Sequence, residues 1–290
     1  MRKFALPALL LALLTLVGAL VPAYADAAPQ PYRGGTFVAL GDSRAAGAFT
    51  DPRGLGDEID PQCKRSKGAY PAVASRIVHA RRFVNVACGG ATSAEIWHNM
   101  QVVGRKFNPV QLSEAPRDAT LVTVSTGHND LDLGRIRYHC LSKRRDRKCR
   151  SNRSLVRRAN YRVAFMRNQV AAALHAVRRQ YPHAQIVVLG PGGLIPGGAK
   201  ACRRSLPMSD ADAAWLGGLY DRANTIEARL AGSIGATYVD VQRYAGAHGV
   251  CAGGSAWFAG EASRGGAIPY HMTRGGARAI GRLVADAVVR

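Results

Sequence analysis

Four short stretches of this chain contain residue types that together could hydrolyse an ester. They are Gly-Asp-Ser at 41–43, Cys-Gly-Gly-Ala-Thr at 88–92, Gly-His-Asn-Asp at 127–130, and His271. A serine hydroxyl becomes a competent nucleophile when a base within hydrogen-bond reach accepts its proton. Ser43 is therefore the candidate nucleophile and His271 the candidate base.

The same stretches supply candidate donors for an oxyanion. Gly90 would offer its backbone N–H and Asn129 its side-chain amide, and Ser43 would add its own N–H. Such preorganised donors stabilise the negative charge that develops on the attacked carbonyl oxygen. The alternative is that the glycines only form turns and that Asn129 only caps a helix, a role that asparagine often takes.

Short apolar runs and longer amphipathic runs alternate around these motifs. We expect strands at 36–40, 83–87, 120–125, 185–189 and 237–241, and helices at 154–181, 209–231 and 273–289. Such alternation predicts a mostly parallel sheet covered on both faces. Because ligands bind beyond the carboxyl ends of such strands, we expect the first three motifs to converge on one crevice.

The N-terminus has the features of an export signal. Residues 1–25 combine a charged start, an apolar run and small residues before the expected cleavage point, so we predict a signal peptide and a secreted, extracellular protein. A retained membrane helix is the alternative. Residues 26–34 are expected to form a flexible leader, and residues 35–290 a single domain.

The chain is strongly basic, with a formal net charge of +21. A surface of this charge would attract an anionic membrane or an anionic envelope polymer. The alternative is that the arginines serve only solubility. The densest basic stretch is 135–158, which follows the Asn129 motif closely. It lacks the interleaved aromatic residues of a base-stacking platform, so we expect no nucleic-acid partner, and we expect a monomer.

The six cysteines indicate disulfides rather than a metal site. An even number of cysteines in an exported chain predicts three disulfides, but their spacing leaves the pairing open. The zinc spacings Cys-x-x-Cys and His-Glu-x-x-His do not occur. We therefore expect neither a metal nor another cofactor. The cysteines are Cys63, Cys88, Cys140, Cys149, Cys202 and Cys251.

In their order and positions, the four motifs resemble those of the SGNH hydrolases, also called the GDSL esterase/lipase family. The resemblance is greatest to the secreted bacterial lipases and esterases with three disulfides. It implies a three-layer α/β/α sandwich with a five-stranded, mostly parallel, flavodoxin-like sheet. It also implies hydrolysis of carboxylic esters through an acyl-enzyme on Ser43, and disulfides that pair 63 with 88, 140 with 149, and 202 with 251.

The chain departs from the family pattern at two positions near the motifs. His128 replaces the second glycine of Gly-Gly-Asn-Asp, and we expect this larger side chain to alter access to the site without changing the mechanism. Where the family commonly has Asp-x-x-His-Pro, this chain has Ile268 three residues before His271. The aspartate that normally fixes the histidine tautomer is therefore absent.

Without that aspartate, we expect a Ser-His dyad in which the backbone carbonyl of Ile268 orients His271, as in some resembling secreted esterases. Asp42 and Glu261 are alternative acidic partners. Lipids, phospholipids, short esters and acylated polysaccharides all remain candidate substrates. Two other functions stay open, a polysaccharide O-deacylase and a non-catalytic envelope-binding protein on the same fold.

Overall fold

The computed structural model describes residues 31–48, 58–60, 62–141, 147–202, 204–262 and 268–288. The predicted signal peptide and the first residues of the predicted leader lie outside these ranges. Lys143, Arg144 and Arg145 of the basic stretch also lie outside the described residues.

A sheet of five parallel strands forms the centre of the molecule. The strands are β1 (Thr36–Gly41), β2 (Glu58–Asp60), β3 (Arg65–Ser66), β4 (Arg82–Asn85), β5 (Gln101–Val103), β6 (Lys106–Asn108), β7 (Ala119–Ser125), β8 (Gln185–Leu189) and β9 (Thr237–Val239). The order of the strands in the central sheet is β4-β1-β7-β8-β9, and two antiparallel pairs, β2 with β3 and β5 with β6, lie apart from it.

Helices fill most of the connections between the central strands. They are α1 (Ser43–Ala46), α2 (Tyr70–Ile77), α3 (Ala94–Trp97), α4 (Gln111–Glu114), α5 (Leu133–Cys140), α6 (Arg153–Gln180), α7 (Asp210–Ser233), α8 (Val241–His248) and α9 (Arg274–Asp286). Short 3₁₀ turns occupy Cys149–Ser151 and Gly253–Ser255.

The helices form one layer on each face of the sheet. The chain moves from β1 through α2 to one neighbouring strand, and from β7 through α6 to the neighbour on the other side. Right-handed crossovers in opposite directions place their helices on opposite faces. Helix α9 packs against α2, and α7 packs against α6. The predicted three-layer α/β/α sandwich is confirmed.

Local sequence explains why the long elements begin and end where they do. Every residue of β1 and of β8 is buried, as expected for strands covered on both faces. The side chains of Asn152, Ser209 and Thr273 cap α6, α7 and α9 by accepting a hydrogen bond from an N–H of the first turn. The three predicted helices are thus confirmed to within a few residues at their ends.

Each of the three disulfides joins a cysteine to the next cysteine along the chain. The pairs are Cys63 with Cys88, Cys140 with Cys149, and Cys202 with Cys251, as the family resemblance implied. Within the described ranges, none of the helices has the length and apolar composition needed to cross a bilayer.

Candidate active site

Ser43 lies at a tight turn from strand to helix. It is the first residue of α1 and follows the end of β1 by two positions. Asp42, between the two elements, caps the helix because its Oδ1 accepts a hydrogen bond from the Arg44 N–H at 2.9 Å. Ser43 therefore lies at the carboxyl end of a central strand. Because the residue is only half-buried, its side chain remains partly open to solvent.

Gly41 allows this turn to fit against the neighbouring strand. Its φ is +136°, and a Cβ there would lie 2.0 Å from the carbonyl oxygen of Ser125. The side chain of Gln111 holds the same glycine: Oε1 accepts from the Gly41 N–H and Nε2 donates to the Gly41 carbonyl, both at 2.8 Å. Any larger residue at position 41 would displace β7 or the serine.

The Gly90 loop is attached directly to the serine turn. The N–H of Cys88 donates to the carbonyl of Gly41 at 3.0 Å, and the N–H of Gly89 donates to the carbonyl of Cys63 at 2.8 Å. Gly90 has φ +83°, a left-handed conformation that glycine adopts without strain. The disulfide between Cys63 and Cys88 closes this arrangement.

Asn129 lies beside the Gly90 loop. Its Nδ2 donates a hydrogen bond to the Ala91 carbonyl at 2.7 Å, which leaves the second amide hydrogen available. Within the described part of the chain, the backbone N–H groups of Ser43 and Gly90 have no hydrogen-bond acceptor. The first three sequence motifs therefore come together. Each contributes one N–H hydrogen that no other described protein group accepts.

A buried carboxylate ties two of these motifs together. Oδ2 of Asp130 accepts hydrogen bonds from the Ser93 N–H at 3.0 Å and from the Ser93 hydroxyl at 2.9 Å. The same hydroxyl lies 3.0 Å from Oγ1 of Thr126. Asp130 thus fixes the segment after Gly90 to the segment that carries Asn129.

His271 is oriented by a backbone carbonyl, but not by the predicted one. Its Nδ1 lies 3.0 Å from the carbonyl oxygen of Pro269. The Ile268 carbonyl instead accepts the backbone N–H of His271 at 3.0 Å, so the prediction for Ile268 is wrong by one residue. The cause is the turn at Tyr270, whose φ of +64° directs the Pro269 carbonyl toward the imidazole.

This contact defines the tautomer of the neutral imidazole. A carbonyl oxygen can only accept, so Nδ1 of His271 carries the hydrogen and Nε2 is left with its lone pair. The backbone around the ring is also fixed. The carbonyl of His271 accepts the N–H of Ala259 at 2.8 Å, and Phe258 forms an antiparallel bridge with Met272 just before α9.

The surroundings of His271 favour its neutral form. Burial lowers the pKa of the imidazole below its usual 6.5, and the charges of Arg44 and Arg137 lower it further, while the contact with the Pro269 carbonyl opposes these effects. Among the described residues, neither alternative acid forms a hydrogen bond with the ring. Asp42 is engaged in capping α1, and the charge of Glu261 acts on Tyr270.

Arg44 links the serine turn to the histidine segment, a role that the sequence did not reveal. It is almost fully buried, and its guanidinium donates to the Gly190 carbonyl at 3.0 Å, just beyond β8. The guanidinium also lies over the ring of Phe258, 5.3 Å from its centroid. A buried arginine next to the candidate nucleophile therefore spans the site between Ser43 and His271.

Aromatic residues and a second arginine surround the substituted motif position. His128 stacks against Tyr220 with ring centroids 5.9 Å apart, and Arg137 lies 3.5 Å from the centroid of Tyr270. Burial holds the pKa of His128 well below its usual value, and the positive charges nearby, including that of Arg137, add to this effect. His128 therefore adds a neutral ring to the site.

Part of the predicted basic stretch is engaged in ion pairs. Arg158 contacts Asp132 at 2.6 Å, and Arg150 contacts the buried Asp212 at 3.0 Å. These two arginines stabilise the packing of α5, α6 and α7. Among the residues that the structure describes, no group of three histidine, cysteine or acidic side chains has the arrangement of a metal site.

Comparison with known proteins agrees with this fold. Residues 39–279 match the GDSL-like lipase/acylhydrolase family, and the chain belongs to that family. The predicted resemblance is confirmed. The protein is a carboxylic ester hydrolase of the lipase/esterase type, and its substrate is an ester.

Individual relatives come from Streptomyces. Lipase 1 of Streptomyces coelicolor is 27% identical over 264 residues, which covers 89% of this chain and 88% of that protein. A phospholipase A1 from Streptomyces albidoflavus NA297 has a similar structure, with a TM-score of 0.70, 23% identity, and coverage of 89% of this chain and 100% of that one.

An extracellular lipase from Streptomyces rimosus also shares the fold. Its TM-score is 0.68 and its identity 23%, and the match covers 88% of this chain and 99% of that lipase. The conserved architecture therefore extends over nearly the whole length of both solved proteins.

Proposed function

We propose that the enzyme hydrolyses its ester through an acyl-enzyme on Ser43, with His271 as the only side chain that acts as base. The observation that carries this proposal is the 3.0 Å contact between Nδ1 of His271 and the Pro269 carbonyl. It assigns the proton of the neutral ring to Nδ1 and leaves Nε2 to accept the serine proton. The Pro269 carbonyl thus takes the orienting role of the missing aspartate.

In the first half of the reaction, Oγ of Ser43 attacks the ester carbonyl carbon and its proton passes to Nε2 of His271. The tetrahedral intermediate then collapses, the bond to the alcohol oxygen breaks, and Nε2 returns the proton to the leaving alcohol. In the second half, Nε2 of His271 accepts a proton from water, and the oxygen of that water attacks the carbonyl carbon of the acyl-enzyme. The second tetrahedral intermediate collapses, the bond to Oγ of Ser43 breaks, and Nε2 returns the proton to Oγ as the acid is released.

The oxyanion of each intermediate is placed among three donors. These are the N–H groups of Ser43 and Gly90 and the unused amide hydrogen of Asn129. Loss of one donor of this kind typically reduces the rate by about 10² to 10³. Arg44 and Arg137 add positive potential near the site, which opposes formation of the imidazolium but favours the oxyanion.

We also propose that the protein is exported and acts outside the cell. The predicted signal peptide, the three disulfides and the extracellular lipase among the relatives support this proposal. The net charge is +21 for the full sequence and +19 without Arg2 and Lys3 of the predicted signal peptide (21 − 2 = 19), which supports attraction to an anionic membrane or envelope surface.

The proposal can be tested with p-nitrophenyl esters from acetyl to palmitoyl and with a fluorophosphonate probe. We expect a burst of p-nitrophenol, labelling of Ser43 located by peptide mass spectrometry, and loss of about 10⁴-fold or more of kcat in Ser43→Ala and His271→Ala. The chain-length series also defines the acyl preference.

Ser233→Ala is the matched control, because Ser233 is an exposed serine at the end of α7. It should retain wild-type turnover and labelling. Labelling at another serine, or full turnover in Ser43→Ala, would refute the assignment of the nucleophile.

A further inference from the structure

A second cleft lies next to the segment that carries His271. Its volume is about 830 Å³, and its walls are formed by Arg204, Ser205, most of the residues between His248 and Ala262, and the beginning of α9. The N–H of Ala259, in one wall, donates to the His271 carbonyl, so the cleft and the candidate active site share a backbone segment. The cleft nevertheless contains neither Ser43 nor Asn129.

Three arginines, Arg204, Arg274 and Arg278, line this cleft. Among its described lining residues there is no carboxylate. Glu261 is adjacent in sequence to lining residues, but its charge acts on Tyr270 and it does not line the cleft. The lining therefore concentrates positive charge without a local counter-charge among the residues described.

Two of these arginines have guanidinium groups without a partner among the described residues. Arg204 and Arg278 are exposed, and neither makes a side-chain hydrogen bond or an ion pair within the described ranges. A guanidinium group presents several N–H donors in one plane. Two guanidinium groups that line one cleft can therefore bind an oxyanion that has several oxygen acceptors.

The first turn of α9 adds to the positive potential. Thr273, which caps this 13-residue helix, lines the cleft together with Gly275. The N-terminus of a helix carries partial positive charge and favours anions. The lining also contains Trp257, whose ring stacks on that of His248, another lining residue, with centroids 4.3 Å apart and an angle of 3°. This stack forms a flat, fixed wall to the cleft.

We propose that this cleft is a binding site for a phosphate-type oxyanion. A phosphate group offers several oxygen acceptors to the arginines, and its charge is not opposed by an acidic lining residue. Two sources offer this chemistry, free phosphate and the phosphate of a lipid headgroup whose ester reaches Ser43. The binding site itself does not depend on the proposed acyl-enzyme chemistry.

Calorimetric titration of the intact protein with inorganic phosphate tests the site. The ionic strength is held constant with sodium chloride. We expect saturable binding with one site per chain, and at least about tenfold weaker binding in the double variant Arg204→Gln/Arg278→Gln, because both guanidinium groups are removed.

The matched control is Arg105→Gln/Arg229→Gln. Both residues are exposed and distant in sequence from the cleft, and this variant has the same net charge as the first. It should bind phosphate as the wild type does. Equal weakening in both variants, or titration without saturation, would mean that only general charge attraction is present and would overturn the site. Near-UV circular dichroism of both variants verifies that they are folded.

Competition kinetics identify the source of the phosphate. Inorganic phosphate is added during hydrolysis of a short-chain phosphatidic acid and, separately, of p-nitrophenyl butyrate. Inhibition of the first reaction alone would assign the site to a substrate headgroup. Saturable binding without inhibition of either reaction would assign it to free phosphate. A protein that binds phosphate but hydrolyses neither ester would refute the catalytic proposal and leave the binding site standing.

Discussion

The side-chain amide of Gln111 forms two hydrogen bonds with the main chain of Gly41, each 2.8 Å long, across 70 positions of sequence. The turn that presents Ser43 is therefore held by a residue of a different element, the short helix α4. This arrangement makes Gln111 a positioning residue.

Substitution of Gln111 by Leu should reduce kcat with little change in KM. The buried N–H of Gly41 would lose its acceptor, at a cost of about 1 to 3 kcal/mol in stability. A displaced nucleophile would lower kcat by about 10- to 100-fold. Steady-state kinetics and urea unfolding measure both effects. In Gln180→Leu, which removes a comparable bond to the Leu112 carbonyl, kcat should be retained. Equal kcat losses in the two variants would contradict the positioning role.

Asn129→Ala should lower kcat by about 10² to 10³ because one oxyanion donor is removed. The loss should fall on kcat rather than on KM, since the donor acts mainly on the charged intermediate. Asn168→Ala, at an exposed position of α6, is the control and should leave both constants unchanged. A purely structural role for Asn129 would instead appear as a lower denaturation midpoint with kcat intact in the folded fraction.

The pH profile of kcat/KM should report the pKa of His271. Only the neutral imidazole accepts a proton, so activity is lost as pH falls through this pKa. Because burial and the nearby arginines lower the pKa, the acid limb should lie below pH 6.5. Arg137→Met removes one of these positive charges and should raise the pKa, so the acid limb should move to higher pH. Arg135→Met, at an exposed position on the same helix, should leave it in place. A shift to lower pH in Arg137→Met would contradict this electrostatic account.

Introduction of the family's usual aspartate through Ile268→Asp should not increase kcat by more than a few fold. The Nδ1 hydrogen of His271 is already bound by the Pro269 carbonyl. A nearby carboxylate should raise the pKa of the ring, so the acid limb should move upward. Ile268→Asn is the control without charge. A gain of about a hundredfold or more in Ile268→Asp alone would mean that the carbonyl orients the ring poorly.

Glu227→Gln should stabilise the protein at neutral and alkaline pH. Glu227 is buried, and neither of its carboxyl oxygens has a hydrogen-bond partner in the described part of the chain. Burial raises its pKa well above 4.5, so the folded state retains a proton that the unfolded state releases. Below the pKa that Glu227 has in the unfolded chain, both states are protonated and burial of this residue causes no loss of stability. Above that pKa, the free energy of unfolding declines by about 1.4 kcal/mol per pH unit until the pKa of Glu227 in the folded state is reached.

Urea unfolding of this variant at about pH 4.5 and about pH 8 should show that its advantage over wild type grows with pH. Glu114→Gln, at an exposed position, should show no such trend. A constant difference between wild type and Glu227→Gln at both pH values would refute the linkage.

The sequence predicted long elements well because their periodicity is local. Helix α6 was expected at 154–181 and occupies Arg153–Gln180, where apolar residues recur at every turn and Asn152 supplies the cap. The strand expected at 83–87 is shorter than expected and ends at Asn85. Beyond Asn85 the Val86 N–H still donates to the Ala39 carbonyl at 3.0 Å, but the Asn85 side chain accepts the Ala87 N–H at 3.1 Å, a local contact that strand propensity does not predict.

The residues that sequence reasoning missed act through tertiary contacts. Gln111 and Arg44 carry no motif, and their roles depend on contacts with the distant backbone of Gly41 and Gly190. The orienting carbonyl was misplaced by one residue because Tyr270 adopts a left-handed conformation that tyrosine rarely takes. The turn at Ser43, by contrast, was predictable, since an apolar strand that is followed directly by Gly-Asp-Ser can adopt few backbone conformations after its last residue.

The disulfide between Cys63 and Cys88 makes the conformation of the Gly90 loop depend on the redox state of the surroundings. It encloses the turn whose Gly89 N–H is bound by the Cys63 carbonyl. In a reducing cytoplasm this covalent restraint would be absent, and Gly90 would depend on weaker contacts for its conformation. Oxidation after export would then complete the site, so the chain would acquire its full hydrolytic power away from the lipids and esters of the cell that made it.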